Sequence, residues 1–198
     1  MDTFYTFPPD KSTSPMEVYT FEEAFTPEEL KIIEQQVLSI PLQDGTILTG
    51  DSTKKTISHR KSSLRWLPQG KEFGWIYYRL GQLAKIANDS LWKFDITSMP
   101  EQIQFTEYYE DGGHYDWHTD IGSDFASIRK ISVTVQLSDN NDYQGGDFEM
   151  LRGKNSDTST RKKGSAIFFP SYILHRVTPV TSGTRKSFVL WLGGKPFK

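Results

Sequence analysis

The stretch HYDWHTD, residues 114 to 120, holds two of the four histidines in the chain and two aspartates, so His-x-Asp reads twice: His114 with Asp116, or His118 with Asp120. In a strand alternate side chains share a face, so His114, Asp116, His118 and Asp120 would project together while Tyr115, Trp117 and Thr119 face the other way. Either pair is geometrically able to ligate a metal. A third histidine, His175, lies in FFPSYILHRVTPV, and Arg185 follows ten residues later in TSGTRKSFVLWLG. Two imidazoles and one carboxylate on one face of a metal leave three positions open, which suits a non-haem Fe(II) site that must accept a bidentate cosubstrate and O2. An arginine beyond it supplies a planar fork for a distant carboxylate.

The remaining composition narrows the chemistry by exclusion. Cysteine is absent from the 198 residues, which removes disulfides, zinc-thiolate sites, iron-sulfur clusters and thiol catalysis, so any metal must bind through His, Asp, Glu or backbone oxygen. The net charge is -2 with 24% charged residues, and no domain-wide basic field exists to hold nucleic acid or an anionic membrane. No basic start with an apolar core opens the chain, and no stretch approaches the ~20 apolar residues of a membrane span, so a soluble cytoplasmic protein is expected.

These residues need a scaffold, and the pattern of the chain predicts one domain over 1–198. Residues 1–15, with three prolines, read as an extended arm. Residues 16–99 read as a helical support region. In AFTPEELKIIEQQVLSIP, Thr26 is a candidate N-cap, Pro27 the first helical residue and Glu29 the returning partner of a capping box, which predicts a helix over 27–39. A second helix is predicted over 72–88, where Phe73, Ile76, Tyr77, Leu80, Leu83, Ala84 and Ala87 form one face. The polar segment 43–63 reads as an irregular connection with room for a strand. From about residue 100 the period changes to two: QIQFTEYY, HYDWHTD, ISVTVQLS, GDFEML, SAIFFP, HRVTPV and RKSFVLWLG are candidate strands. So many short strands predict an antiparallel jelly roll or barrel buttressed on one sheet by the two helices.

Three blocks carry a resemblance to a known family: YYEDGGHYDWHTD; ISVTVQLSDNNDYQGGDFEM; and KKGSAIFFPSYILHRVTPVTSGTRKSFVLWLG. They resemble the 2-oxoglutarate/Fe(II)-dependent dioxygenases of the prolyl 4-hydroxylase-like type found in bacteria and phages. The resemblance implies an α+β, mainly β fold with a double-stranded β-helix core at 100–198. It also resolves the two readings of HYDWHTD. The family's tyrosine nine or ten residues before the metal histidine, and its aromatic three before it, match Tyr109 or Tyr108 and Tyr115 when His118 is the ligand, so His118, Asp120 and His175 are the implied metal set.

Arg185 is then the implied anchor of the 2-oxoglutarate C5 carboxylate, with Tyr109, Gln136 and Ser187 as further cosubstrate contacts and Tyr115 and Trp191 as pocket walls. On one strand face Arg185, Ser187, Val189 and Trp191 lie together, and in ISVTVQLS the apolar Ile131, Val133, Val135 and Leu137 alternate with Ser132, Thr134 and Gln136. The resemblance implies Fe(II), 2-oxoglutarate and O2, with ascorbate as a candidate reductant, and hydroxylation of an unactivated C–H with release of succinate and CO2. A prolyl residue in a peptide or protein is the implied substrate, gripped by segment 50–63 and loop 121–130, where Arg60, Lys61 and Arg65 would meet acidic groups. A free amino acid or other small molecule is the alternative substrate. A non-catalytic jelly-roll binding module and a cupin-like metal enzyme independent of 2-oxoglutarate are the competing classes. Nucleic acid and membrane are not expected as partners, and the sequence does not indicate an oligomeric state.

Overall fold

The computed structural model describes residues 13–45, 47–49, 52–54 and 58–196. Most of the arm expected at 1–15, and parts of segment 50–63, lie outside the described residues. The strands are β1 (Tyr19–Phe21), β2 (Gln43–Asp44), β3 (Ile47–Thr49), β4 (Ser52–Lys54), β5 (Arg60–Lys61), β6 (Ser63–Leu67), β7 (Ile96–Ser98), β8 (Ile103–Tyr109), β9 (His114–His118), β10 (Arg129–Gln136), β11 (Tyr143–Gly145), β12 (Phe148–Leu151), β13 (Ser156–Thr158), β14 (Ala166–Pro170), β15 (Leu174–Val177) and β16 (Val180–Gly194). Helix α1 (Pro27–Val37) precedes β2, and α2 (Gly74–Ser90) follows β6.

Every strand pairing is antiparallel, and two sheets face each other as a jelly roll. The larger runs β1-β14-β10-β16-β8-β6-β2, with β7 and β11 also on β16; the smaller runs β13-β12-β15-β9-β5. Helix α1 begins where its sequence signal lies: Thr26 accepts from the Glu29 amide, and Glu29 returns a bond to the Thr26 amide. Leu30, Ile33 and Val37 of α1 and Ile76, Leu80 and Ala84 of α2 pack with Ile131, Val133, Val135, Phe105, Phe188 and Leu190 on the outer face of the larger sheet. Tyr77 joins helix to sheet: its hydroxyl accepts from the Ile103 amide and donates to the Leu67 carbonyl. Helical residues thus cover the outer face completely enough that β8, β10 and β14 are buried on both sides.

Region 16–99 is less helical than expected, because β1, β2, β6 and β7 from it extend the larger sheet. Strand β6 matters most: its register against β8 sets Leu64 opposite Thr106 and Trp66 opposite Gln104, so both face inward. No helix among the described residues is long and apolar enough to cross a membrane.

Candidate active site

Cross-strand partners share a face, so register fixes what looks into the jelly roll. Arg185, Ser187 and Val189 of β16 stand opposite Tyr108, Thr106 and Gln104 of β8; Ser187, Val189 and Trp191 stand opposite Gln136, Thr134 and Ser132 of β10. The outward face of the same strands is the apolar core, so the inner face is an island of polar side chains in an otherwise apolar sheet. From the smaller sheet β15 and β9 bring His175 directly opposite His118. A cavity of about 370 Å³ between the sheets is lined by residues of both, including His118, Asp120, His175, Tyr108, Arg185, Ser187 and Trp191.

One ligand-capable atom from each of His118, Asp120 and His175 lies within 4.8 Å of the others. His118 Nε2 is 3.8 Å from Asp120 Oδ1 and His175 Nε2 is 3.5 Å from Asp120 Oδ2. Both imidazoles are set by backbone: Nδ1 of His118 is 2.7 Å from the Asp116 carbonyl and Nδ1 of His175 is 2.9 Å from the Ile173 carbonyl. A carbonyl only accepts, so each Nδ1 carries a proton and Nε2 is the ring nitrogen turned to the common point. Burial, reinforced by the His175 imidazole, pushes His118 down to about 3, which keeps it neutral. Burial alone would raise Asp120, but His175, His118, Arg129 and the Ser132 hydroxyl outweigh it and hold the carboxyl below its usual value. Two imidazole nitrogens and one carboxylate oxygen converging on a common point are the donor set of a single divalent metal ion.

The strand geometry departs from simple alternation where it matters. Between His118 and Tyr115 the register against β15 slips, with three steps on β9 matched to two from His175 to Val177. The slip brings Tyr115 onto the same side as His118, where the two rings stack at 3.5 Å and 16°. His114 is turned out of the cavity, its Nδ1 near the Gly112 carbonyl, and Asp116 is exposed with its carboxylate capping the Trp117 amide. Neither reaches the cavity.

Arg185 is 1% exposed. Its Nη2 donates to Gln136 Oε1 at 3.0 Å, Nη1 reaches Ser187 Oγ at 3.4 Å, and Nε finds no hydrogen-bond partner. Among the described residues no carboxylate pairs with it. A guanidinium cannot lose its charge here, and a buried cation without a counter-ion is costly, so the geometry fits an anion bound from the cavity. Gly146, at φ +62°, gives its stem room: a Cβ there would lie 3.1 Å from Arg185 Cδ. The Tyr108 ring lies 5.5 Å from the guanidinium carbon.

Ser187, Tyr115 and Trp191 line the cavity; Gln136 lies behind Arg185, held also by a bond from its Nε2 to the Thr160 carbonyl. Tyr109 does not reach the cavity: strand parity sends it to the opposite face of β8, 36% exposed, and puts Tyr108 inside. At the mouth, Arg60 packs 4.6 Å over Tyr115, His59 meets the same ring edge-on, and Phe125 is exposed. Lys61 and Arg65 are committed elsewhere, to Asp111 and to Glu107 with the Ile40 carbonyl. Sequence reasoning passed over Arg129, which forks onto Glu101, lies 3.9 Å over the Trp191 ring and donates to the Asp120 carbonyl.

A jelly roll with two imidazoles, one carboxylate and an unpaired buried guanidinium around one cavity defines the class of mononuclear metal oxygenases that take an anionic cosubstrate. Residues 103–193 match the family described as the 2OG-Fe(II) oxygenase superfamily. A PKHD-type hydroxylase of Teredinibacter turnerae is 32% identical over 160 residues, covering 76% of this chain and 69% of that protein; one of Hyphomonas neptunium is 30% identical, covering 85% and 75%. Among solved structures, a Trichoplax adhaerens prolyl hydroxylase in complex with a hypoxia inducible factor peptide fragment aligns with TM-score 0.75 at 17% identity, over 89% of this chain and 83% of that one. A Pseudomonas putida prolyl-4-hydroxylase aligns with TM-score 0.68 at 17% identity, over 90% and 92%. The chain belongs to the 2OG-Fe(II) oxygenase superfamily, as a prolyl 4-hydroxylase-like 2-oxoglutarate-dependent dioxygenase that uses Fe(II), 2-oxoglutarate and O2.

Proposed function

We propose that the chain hydroxylates a prolyl residue within a peptide or protein, with His118, Asp120 and His175 holding Fe(II) and Arg185 anchoring the far carboxylate of 2-oxoglutarate. The observation that carries this reading is that one cavity holds both the triangle of ligand atoms and a buried guanidinium lacking a counter-ion. When bound, iron and 2-oxoglutarate supply the power to use O2 against a C–H bond, the cosubstrate leaving as succinate and CO2.

The protein's own share is placement. The backbone carbonyls that hold Nδ1 of His118 and His175 turn both Nε2 atoms inward, and Gln136 holds the guanidinium so that its free edge faces the cavity. Ser187 and Tyr108 add hydroxyls on the same inner face. The walls Tyr115, Trp191 and Phe169 exclude water around the reacting carbon. Leu64, Trp66, Ile121 and the exposed Phe125 add apolar surface to the cavity lining, which supports a peptide substrate. The names of the related hydroxylases support the same class.

Incubating the protein with Fe(II), 2-oxoglutarate, O2 and a peptide library, and reading products by mass spectrometry, is expected to show one added oxygen atom on proline. Oxidation confined to free amino acids would replace the peptide reading; no succinate release under any substrate would overturn the assignment. A second expectation separates the two adjacent tyrosines. Tyr108→Phe should raise the KM for 2-oxoglutarate about fivefold, the worth of one net hydrogen bond, whereas Tyr109→Phe should leave it unchanged.

A further inference from the structure

The Asp120 carboxylate is held from one side only. Ser132 Oγ lies 2.6 Å from Oδ2, and Ser171 Oγ lies 3.0 Å from Ser132 Oγ. Both serines are fully buried. A carboxylate only accepts, so the Ser132 proton points at Asp120, and the remaining proton between the two hydroxyls must come from Ser171. The pair is therefore a directed relay, Ser171 to Ser132 to Asp120. Backbone bonds fix the same corner: the Asp120 and Ile121 amides both donate to the Ser171 carbonyl, at 2.9 and 3.1 Å, and the Ser171 amide donates to the Lys130 carbonyl at 3.0 Å. Oδ1 receives no hydrogen bond among the described residues and lies 3.8 Å from His118 Nε2, while Oδ2, which carries the Ser132 bond, lies 3.5 Å from His175 Nε2.

We propose that Ser132, oriented by Ser171, is a positioning residue that caps Oδ2 and presents Oδ1 of Asp120 to the metal. This deepens the metal reading of His118, Asp120 and His175 and rests on it. Without the cap the carboxylate is free to rotate about its terminal bond, and two equivalent oxygens compete for a site built for one. Serine is suited to this place: its side chain reaches Asp120 from an inward position of β10, on a face otherwise committed to the cavity.

The test is Co(II) binding, measured calorimetrically and by the visible spectrum of the metal, on wild type, Ser132→Ala, Ser132→Thr, Ser171→Ala and His175→Ala, each with a thermal melt of the metal-free protein. Loss of a group that orients a metal ligand costs about tenfold to a hundredfold in affinity, and that is the expected effect of Ser132→Ala, with a changed Co(II) spectrum. Ser171→Ala should weaken binding less, and Ser132→Thr, which keeps the hydroxyl, should restore affinity and the wild-type spectrum. His175→Ala should abolish binding. If Ser132→Ala does not fold, an unweakened, spectrally unchanged Ser171→Ala overturns the relay. Wild-type affinity and spectrum in a folded Ser132→Ala overturn the inference and leave the metal reading intact; binding that survives His175→Ala, or no binding by wild type, overturns both.

Discussion

Arg185→Ala is expected to raise the KM for 2-oxoglutarate by two to three orders of magnitude while leaving the metal content of the protein unchanged. Removing one partner of a buried, hydrogen-bonded charge pair costs about 2–5 kcal/mol, and each ~1.4 kcal/mol is a factor of ten. Arg185→Lys should recover little, because an ammonium on a flexible stem replaces the fork that Gln136 and Ser187 hold in plane. The same site makes a second, opposite expectation about stability. Without an anion, the wild-type protein buries a guanidinium whose Nε is unpartnered and which has no carboxylate beside it. Replacing it by an apolar side chain of similar length removes that cost. Arg185→Met should therefore melt no lower than wild type in the absence of cosubstrate, yet lose the rise in melting temperature that 2-oxoglutarate gives wild type. A thermal melt of both proteins, with and without 2-oxoglutarate, measures the two effects together. A large 2-oxoglutarate shift retained in Arg185→Met would remove Arg185 from the cosubstrate site.

The resemblance to the dioxygenase family singled out Arg185; its neighbours followed from a simple feature of β structure. The inner face of β16 repeats every second residue, so Arg185, Ser187, Val189 and Trp191 were legible as neighbours, and the alternation of ISVTVQLS placed Ser132, Thr134 and Gln136 on one face correctly. Parity fails where a strand slips, and nothing in HYDWHTD signals the slip that moves Tyr115 beside His118. Tyr108 and Tyr109 show the same limit from the other side: a spacing of nine or ten residues fits both, and only the pairing of Tyr108 with Arg185 across β8 and β16 decides between them. Register is a property of two distant segments, so it has no local signature. The short strands before residue 100 were illegible for a different reason. Strand β6 is five residues with Arg65 and Trp66 among them, and its pattern only makes sense once one face is known to meet the cavity and the other the core. Arg129 looked like an ordinary charge at the head of a strand. Its link to Asp120, Glu101 and Trp191 comes from packing, which composition does not reveal.

Asp120→Asn is expected to abolish turnover, by at least about 10³-fold, with the fold preserved. The substitution changes almost no volume, and the amide oxygen can still accept from Ser132, so the buried corner formed with Ser171 keeps its packing. What disappears is the single negative charge facing the two imidazoles. With that charge, one carboxylate offsets part of a divalent cation's charge beside two imidazoles; without it, the ion must leave water for nitrogen lone pairs and a neutral amide alone. Metal content after dialysis should therefore fall with activity, in step rather than separately. Measuring iron stoichiometry and succinate release on the same preparation checks this directly. An Asp120→Asn protein that kept full iron occupancy but lost turnover would show that the carboxylate acts on substrate or cosubstrate rather than on the metal, and the triangle of His118, Asp120 and His175 would have to be read differently.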